Sequence, residues 1–213
     1  MRNLVISMTT SLQFYWYEIR PSEELGKRRG QLAGAMHRLG FVCGELASVL
    51  DATDINEMLD RLQYHAENYL IRAYELRERA VFLVAGLCGD KSLAKFLKDP
   101  RRRVEALAQV SAKSPSFVEP LDRLLMALDH DVELRNFHTH NTFLSLGLWT
   151  GDDIYDPQDA LLDLENRPDE REELESFLRD EAKLLVTEYA EKGRKLIEAT
   201  MCLLKVADLR RSV

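Results

Sequence analysis

Residues 55–89 read INEMLDRLQYHAENYLIRAYELRERAVFLVAGLCG. Ile55, Met58, Leu62, Ala66, Tyr69, Ala73, Leu76, Ala80, Leu83 and Leu87 recur at three- and four-residue steps. That period, near 3.6, puts all ten on one face of a helix. Most of the intervening residues are good helix formers, and none is proline. Asp51 to Asp54 breaks the chain just before, with Thr53 and Asp54 as candidate N-caps. Gly86 to Gly89 is a suitable stop. This is the clearest long amphipathic helix of the chain.

The same period extends outward on both sides. Pro21-Ser22-Glu23-Glu24 opens a helix expected over about 22–50, with Leu25, Leu32, Met36, Leu39, Val42, Leu46 and Leu50 inward. Asp99-Pro100 and Lys113-Ser114-Pro115 divide residues 90–115 into short helices. A helix over about 117–130 turns Leu121, Leu124, Leu125 and Leu128 inward. A separate segment carries Leu134, Phe137, Leu144 and Leu148. Gly151 to Pro168 is polar and Asp-rich, a surface excursion with one helical turn. The closing helix covers about 169–209, with Leu174, Phe177, Leu178, Leu185, Leu196, Ile197, Met201 and Leu204 as its stripe. Residues 1–21 form an N-terminal arm, strand or irregular, with an aromatic cluster at Tyr15, Trp16 and Tyr17. The expected fold is all-α: one helical-bundle domain over 22–213, with extra short helices.

The bulk numbers agree with a packed domain. Apolar residues make up 46% of the 213 and charged residues 31%, and only 10 Gly and 6 Pro interrupt the helices. No apolar run approaches the roughly 20 residues that span a bilayer. Thr9, Thr10, Ser11 and Gln13 interrupt any signal-peptide core, so the chain is expected in the cytoplasm, with no membrane partner. Cys43, Cys88 and Cys202 are far apart and odd in number, and read as reduced core thiols. A net charge of −7 argues against a general nucleic-acid coat protein. Local basic clusters remain at Lys27-Arg28-Arg29 and at Lys98 with Arg101, Arg102 and Arg103. A solvated face is the ordinary explanation of each; the Arg101–Arg103 run is also the candidate RNA contact.

The densest chemistry lies in Glu133-Leu134-Arg135-Asn136-Phe137-His138-Thr139-His140-Asn141. His-x-His suits metal on a strand, but on a helix the two rings stand about 200° apart, and helical ligand pairs sit at i and i+4. No Glu-x-x-His occurs in the chain, so a carboxylate-bridged metal bundle is unsupported. No metal or cofactor is therefore expected. Phosphodiester chemistry fits better. RNA carries its own nucleophile, the 2′-hydroxyl. A histidine that titrates near neutrality moves protons, and an arginine offers a planar fork of donors to the phosphate. Arg135 and His140 supply that pair. The plainer alternative pairs Arg135 with an acid and leaves the histidines at a helix edge.

Arg135-Asn136-Phe137-His138-Thr139-His140, with four residues between arginine and histidine and a polar neighbour after the arginine, resembles the signature of the HEPN domain family. The helix bearing Tyr74-Glu75-Leu76-Arg77-Glu78-Arg79 ahead of the motif and the long closing helix behind it fit the same layout, over about 53–209. The resemblance implies an all-α bundle that usually dimerises and often acts as a metal-independent endoribonuclease, some members being toxins or defence proteins. It implies His140 as general acid/base, Arg135 on the phosphate and Asn136 orienting the site. His138, Glu78 and Arg79 would support it. Some family members are toxins held by a nucleotidyltransferase antitoxin, and others are non-catalytic dimer scaffolds. Thr142 stands where one toxin group carries a tyrosine. Five helical residues separate Arg135 and His140 by about 140°, so a bend, the reach of the arginine or a two-fold axis must bring them together.

Two weaker patterns remain. Asp152-Asp153-Ile154-Tyr155-Asp156 matches a magnesium-diphosphate motif of all-α terpene synthases, in a chain too short for that fold. His130-Asp131 resembles the His-Asp pair of helical metal phosphohydrolases, a minor alternative. The main competing class is an interaction module: a non-catalytic helical dimer binding a partner or nucleotide.

Overall fold

The computed structural model describes residues 24–140 and 157–209, and side chains over 25–136 and 157–208. Among these residues there are seven α-helices and no strand. They are α1 (Glu24–Ser48), α2 (Ile55–Leu87), α3 (Leu93–Lys98), α4 (Arg103–Lys113), α5 (Val118–His140), α6 (Pro157–Asp163) and α7 (Pro168–Leu209). The all-α class expected from the periodicity is the class found. None of these helices is long and apolar enough to cross a membrane. The arm at 1–21 and the Asp152–Asp156 pattern lie outside the described residues.

Local chemistry sets the ends of α2. The Asp54 carboxylate accepts from Glu57 N at 2.9 Å, which satisfies one orphan donor of the first turn. At the other end Gly89 adopts φ 67°, and Asp90 N donates to Ala85 O at 3.1 Å, closing the helix. A side chain at 89 would be strained in that left-handed turn.

Four long helices make the core: α1 packs against α2 and α7, and α5 packs against the other flanks of the same two. Neighbours run antiparallel. Arg38 meets Glu75 at 2.7 Å while Arg61 reaches Ser48 Oγ at 3.0 Å, so α1 and α2 are antiparallel. Arg29 pairs with Asp208, and a Cβ on Gly193 would run into Cys43 Sγ, which gives the same relation for α1 and α7. Lys113 Nζ donates to Cys88 O at 2.8 Å, so α4 ends beside the C-terminus of α2 and α5 starts back from there. Short α3 and α4 cap that end. At the opposite end Arg179 of α7 donates to Ala52 O at 3.1 Å. Leu32, Leu39, Leu62, Leu76, Leu124 and Leu203 are all fully buried in the shared interior.

The structure corrects four expectations. Residues 118–140 form one helix, not two segments. The polar Asp129-His130-Asp131 run looks like an end, but Asp131 faces the core and bonds there, so the helix continues. Phe177 is 48% exposed rather than inward. Cys202 is an exposed thiol, whereas Cys43 and Cys88 are buried as expected. Finally, Pro157–Asp163 makes a two-turn helix that docks through buried Leu161 and through Gln158 on Asp60 at 2.7 Å.

Candidate functional site

Arg135 occupies the inward stripe of α5, seven residues after buried Leu128 and four after buried Asp131. No apolar residue fills that position. The guanidinium instead lies over the ring of Tyr74 on α2, 4.4 Å from its centroid. Its Nη1 donates to Asn136 Oδ1 at 3.3 Å. Arg135 is half-buried and Asn136 exposed, so the cation stands at the border of core and solvent. The backbone of α5 is helical through His140. Register therefore sets His140 about 140° around the axis from Arg135, and His138 about 60° from it. The side chains of both histidines lie outside the described residues.

Glu78 and Arg79 diverge. Glu78 lies one turn beyond Tyr74 on the flank facing α3 and α5, and Lys98 Nζ meets its Oε2 at 2.9 Å. Its Oε1 is buried without a hydrogen-bond partner, as is Arg77 Nε beside it. Arg77 donates to Lys98 O at 3.2 Å, and burial pulls its guanidinium below the ordinary arginine range. Arg79 points the other way, to Gln31 Oε1 on α1 at 3.4 Å. Only Glu78 of the two is on the Arg135 side of α2.

The Arg101–Arg103 run divides as well. Arg101 and Arg102 are exposed, the latter with its guanidinium 3.8 Å from the centre of the Phe96 ring. Arg103 is buried, and its two terminal nitrogens grip both oxygens of Asp129 at 2.7 and 2.6 Å. That bidentate pair staples α4 to α5, which removes Arg103 from the surface. Of the other basic cluster, Arg28 donates to Phe82 O at 2.8 Å and Arg29 is buried against Asp208, which leaves Lys27 exposed.

A second polar cluster, not foreseen from the sequence, sits where α1, α2, α5 and α7 converge. The Asp131 side chain is 2% exposed and accepts from Tyr69 Oη at 3.0 Å; Lys192 Nζ stands 3.9 Å away. Tyr189 packs edge-on against Tyr69 with ring centres 4.7 Å apart. Burial raises the Asp131 carboxyl above the usual carboxylate range, against the opposing pull of Lys192 and the Tyr69 bond. Burial also pushes the Cys43 thiol up to about 12, with the nearby Asp131 charge adding to it, so this thiol is unreactive. His130, adjacent in sequence, is exposed, so it and Asp131 do not converge on one point as a His-Asp metal pair would. Among the described residues no group of three or more His, Cys, Asp or Glu is arranged to hold a metal.

The Asp131 environment predicts a pH dependence. A carboxyl whose folded pKa is raised binds its proton more tightly in the native state. Its stabilising contribution is then complete at low pH, and is lost as pH climbs from the unfolded carboxylate value, about 4, through the folded one. Asp131→Asn removes that falling component. Urea midpoints measured from acid to neutral pH are expected to shift in favour of the Asn variant as pH rises. Parallel curves would refute the assignment.

Comparison with protein-family models, with curated proteins and with solved structures returns no match.

Proposed function

We propose that the chain is a metal-independent endoribonuclease of HEPN type, working in the cytoplasm as a homodimer in a toxin or defence role. The observation that carries this reading is Arg135 itself, a cation kept in an inward position at the solvent border, its face on Tyr74 and its edge toward Asn136. Stacking uses the face of a guanidinium, while phosphate oxygens approach in its plane. In the proposed reaction His140 takes the proton of the RNA 2′-hydroxyl as that oxygen attacks the adjacent phosphorus. Arg135 holds the negative charge gathering on the phosphate, and Asn136 keeps the guanidinium in place. The 5′-oxygen leaves with a proton returned by the acid form of the same kind of group. Because the helix turns Arg135 and His140 apart, the second subunit is the natural source of the matching imidazole. A nucleotidyltransferase antitoxin is the partner class that would hold such a toxin silent.

The test is product chemistry. The full chain, incubated with unstructured RNA in excess EDTA, is expected to leave 2′,3′-cyclic phosphate ends. Cleavage that appears only with added Mg²⁺ would end this reading. A second reading, a catalytically silent helical interaction module, is favoured by the place of Arg135 in the inward stripe, where it can serve as an anchor between α2 and α5. It predicts no cleavage under any condition.

A further inference from the structure

We infer that the flank of α2 between Arg135 and the α3–α4 joint is a track for single-stranded RNA, in which Tyr74, Phe82 and Phe96 alternate with Arg135, Lys98 and Arg102. This rests on the ribonuclease reading, and names the path by which its substrate reaches Arg135. Each cation is set against a ring: Arg135 on Tyr74 at 4.4 Å, Lys98 on Phe82 at 5.5 Å and Arg102 on Phe96 at 3.8 Å. The three pairs are contiguous. Glu78, one turn from Tyr74 and one turn from Phe82, binds Lys98 at 2.9 Å, and Arg101 and Arg102 follow Lys98 across the joint. Tyr74 and Phe82 are eight residues apart, about 12 Å along the helix axis.

Charge and shape select the ligand. The chain carries a net charge of −7, yet this flank holds Arg77, Lys98, Arg101, Arg102, Arg103 and Arg135 against Glu78, Asp99 and Asp129. A positive strip on an acidic protein suits a polyanion. The rings then choose among polyanions. Phe82 is 43% exposed, and a ring so placed stacks on a base only when that base is unpaired. Duplex RNA would offer phosphates but no base faces, and an acidic peptide would offer neither bases nor regular phosphates.

The test uses the full chain carrying His140→Ala, so that the probe is not consumed, and a short fluorescein-labelled oligoadenylate read by anisotropy. Phe82→Ala is expected to weaken binding about tenfold, through loss of one stacked base. Arg102→Ala is expected to weaken it about threefold and to lower the salt slope by roughly 0.7, through loss of one phosphate contact. Arg123→Ala, on the exposed side of α5, should change neither. Phe82→Leu keeps the apolar packing and removes the ring, so it reads stacking even if the alanine variant folds poorly. Unchanged affinity in Phe82→Leu and Arg102→Ala would overturn the track. So would duplex RNA binding as tightly as oligoadenylate, or sensitivity to Arg102 alone with full competition by heparin. Binding that follows these variants in a chain that never cuts RNA would uphold the track and discard the catalytic reading.

Discussion

Arg135→Ala is expected to lower RNA cleavage at least about 100-fold, and His140→Ala between about 100- and 10,000-fold. Each variant fails for its own reason. Removing the guanidinium leaves the charge on the pentacoordinate phosphate without its fixed donors. A preorganised donor of this kind contributes roughly 3–4 kcal/mol in enzymes where one has been deleted. Removing the imidazole leaves proton transfer to water. Arg135→Lys separates catalysis from anchoring: it keeps a positive charge near Tyr74 but loses the planar fork, so cleavage should stay at least tenfold down while urea stability stays closer to wild type. A simple anchor behaves in the opposite way, with Arg135→Ala lowering stability and leaving whatever cleavage the sample shows unchanged. Mixing the two inactive variants adds a further readout. If the guanidinium of one subunit works with the imidazole of its partner, the mixed dimer regains one intact site and part of the activity. Single-turnover cleavage of one labelled RNA measures all of these, and equal rates for wild type and His140→Ala would remove the mechanism.

The helices were legible because their stripes are long. Ten apolar positions at helical spacing in residues 55–87 leave little freedom, and the structure places α2 there from Ile55 to Leu87. Interruptions were harder to read. Asp129-His130-Asp131 reads as a helix end because polar residues cluster at ends. No Gly or Pro stands there, however, and the absence of both between Pro120 and His140 was the better signal. Asp131 also stands at an inward position, three residues beyond Leu128, and a carboxylate there calls for a buried partner. That partner, Tyr69, lies 62 residues away and by spacing alone reads as one more apolar member of its stripe. The three consecutive arginines pose a similar problem. Adjacent residues point about 100° apart, so a basic run entering a helix cannot turn every member outward. Which one turns inward depends on Asp129, a long-range contact that no local pattern encodes. For the candidate site, the sequence marked Arg135 and Asn136 but not the ring beneath the guanidinium. Tyr74 lies four residues before Glu78, on the same flank, and that spacing was the available clue.

Tyr69→Ala is expected to cost about 4–5 kcal/mol of folding stability, the largest single effect in the bundle. The ring is fully buried at the convergence of the four long helices, and its removal opens a cavity among close-packed neighbours. Tyr189 loses its edge-on partner at 4.7 Å. The hydroxyl goes too, so Asp131 loses its 3.0 Å hydrogen bond and keeps the 3.9 Å approach of Lys192. Tyr69→Phe removes only the last of these, and should cost about 1–2 kcal/mol. The difference between the two variants is therefore the packing term. The coupling between Tyr69→Phe and Asp131→Asn isolates the hydrogen bond, at about 1 kcal/mol. Urea denaturation followed by helical circular dichroism gives all four corners of that cycle. If Tyr69→Phe proved as damaging as Tyr69→Ala, the bundle centre would be held by its polar bond rather than by its ring. If both were silent, the convergence of α1, α2, α5 and α7 on this residue would not be the core of the fold.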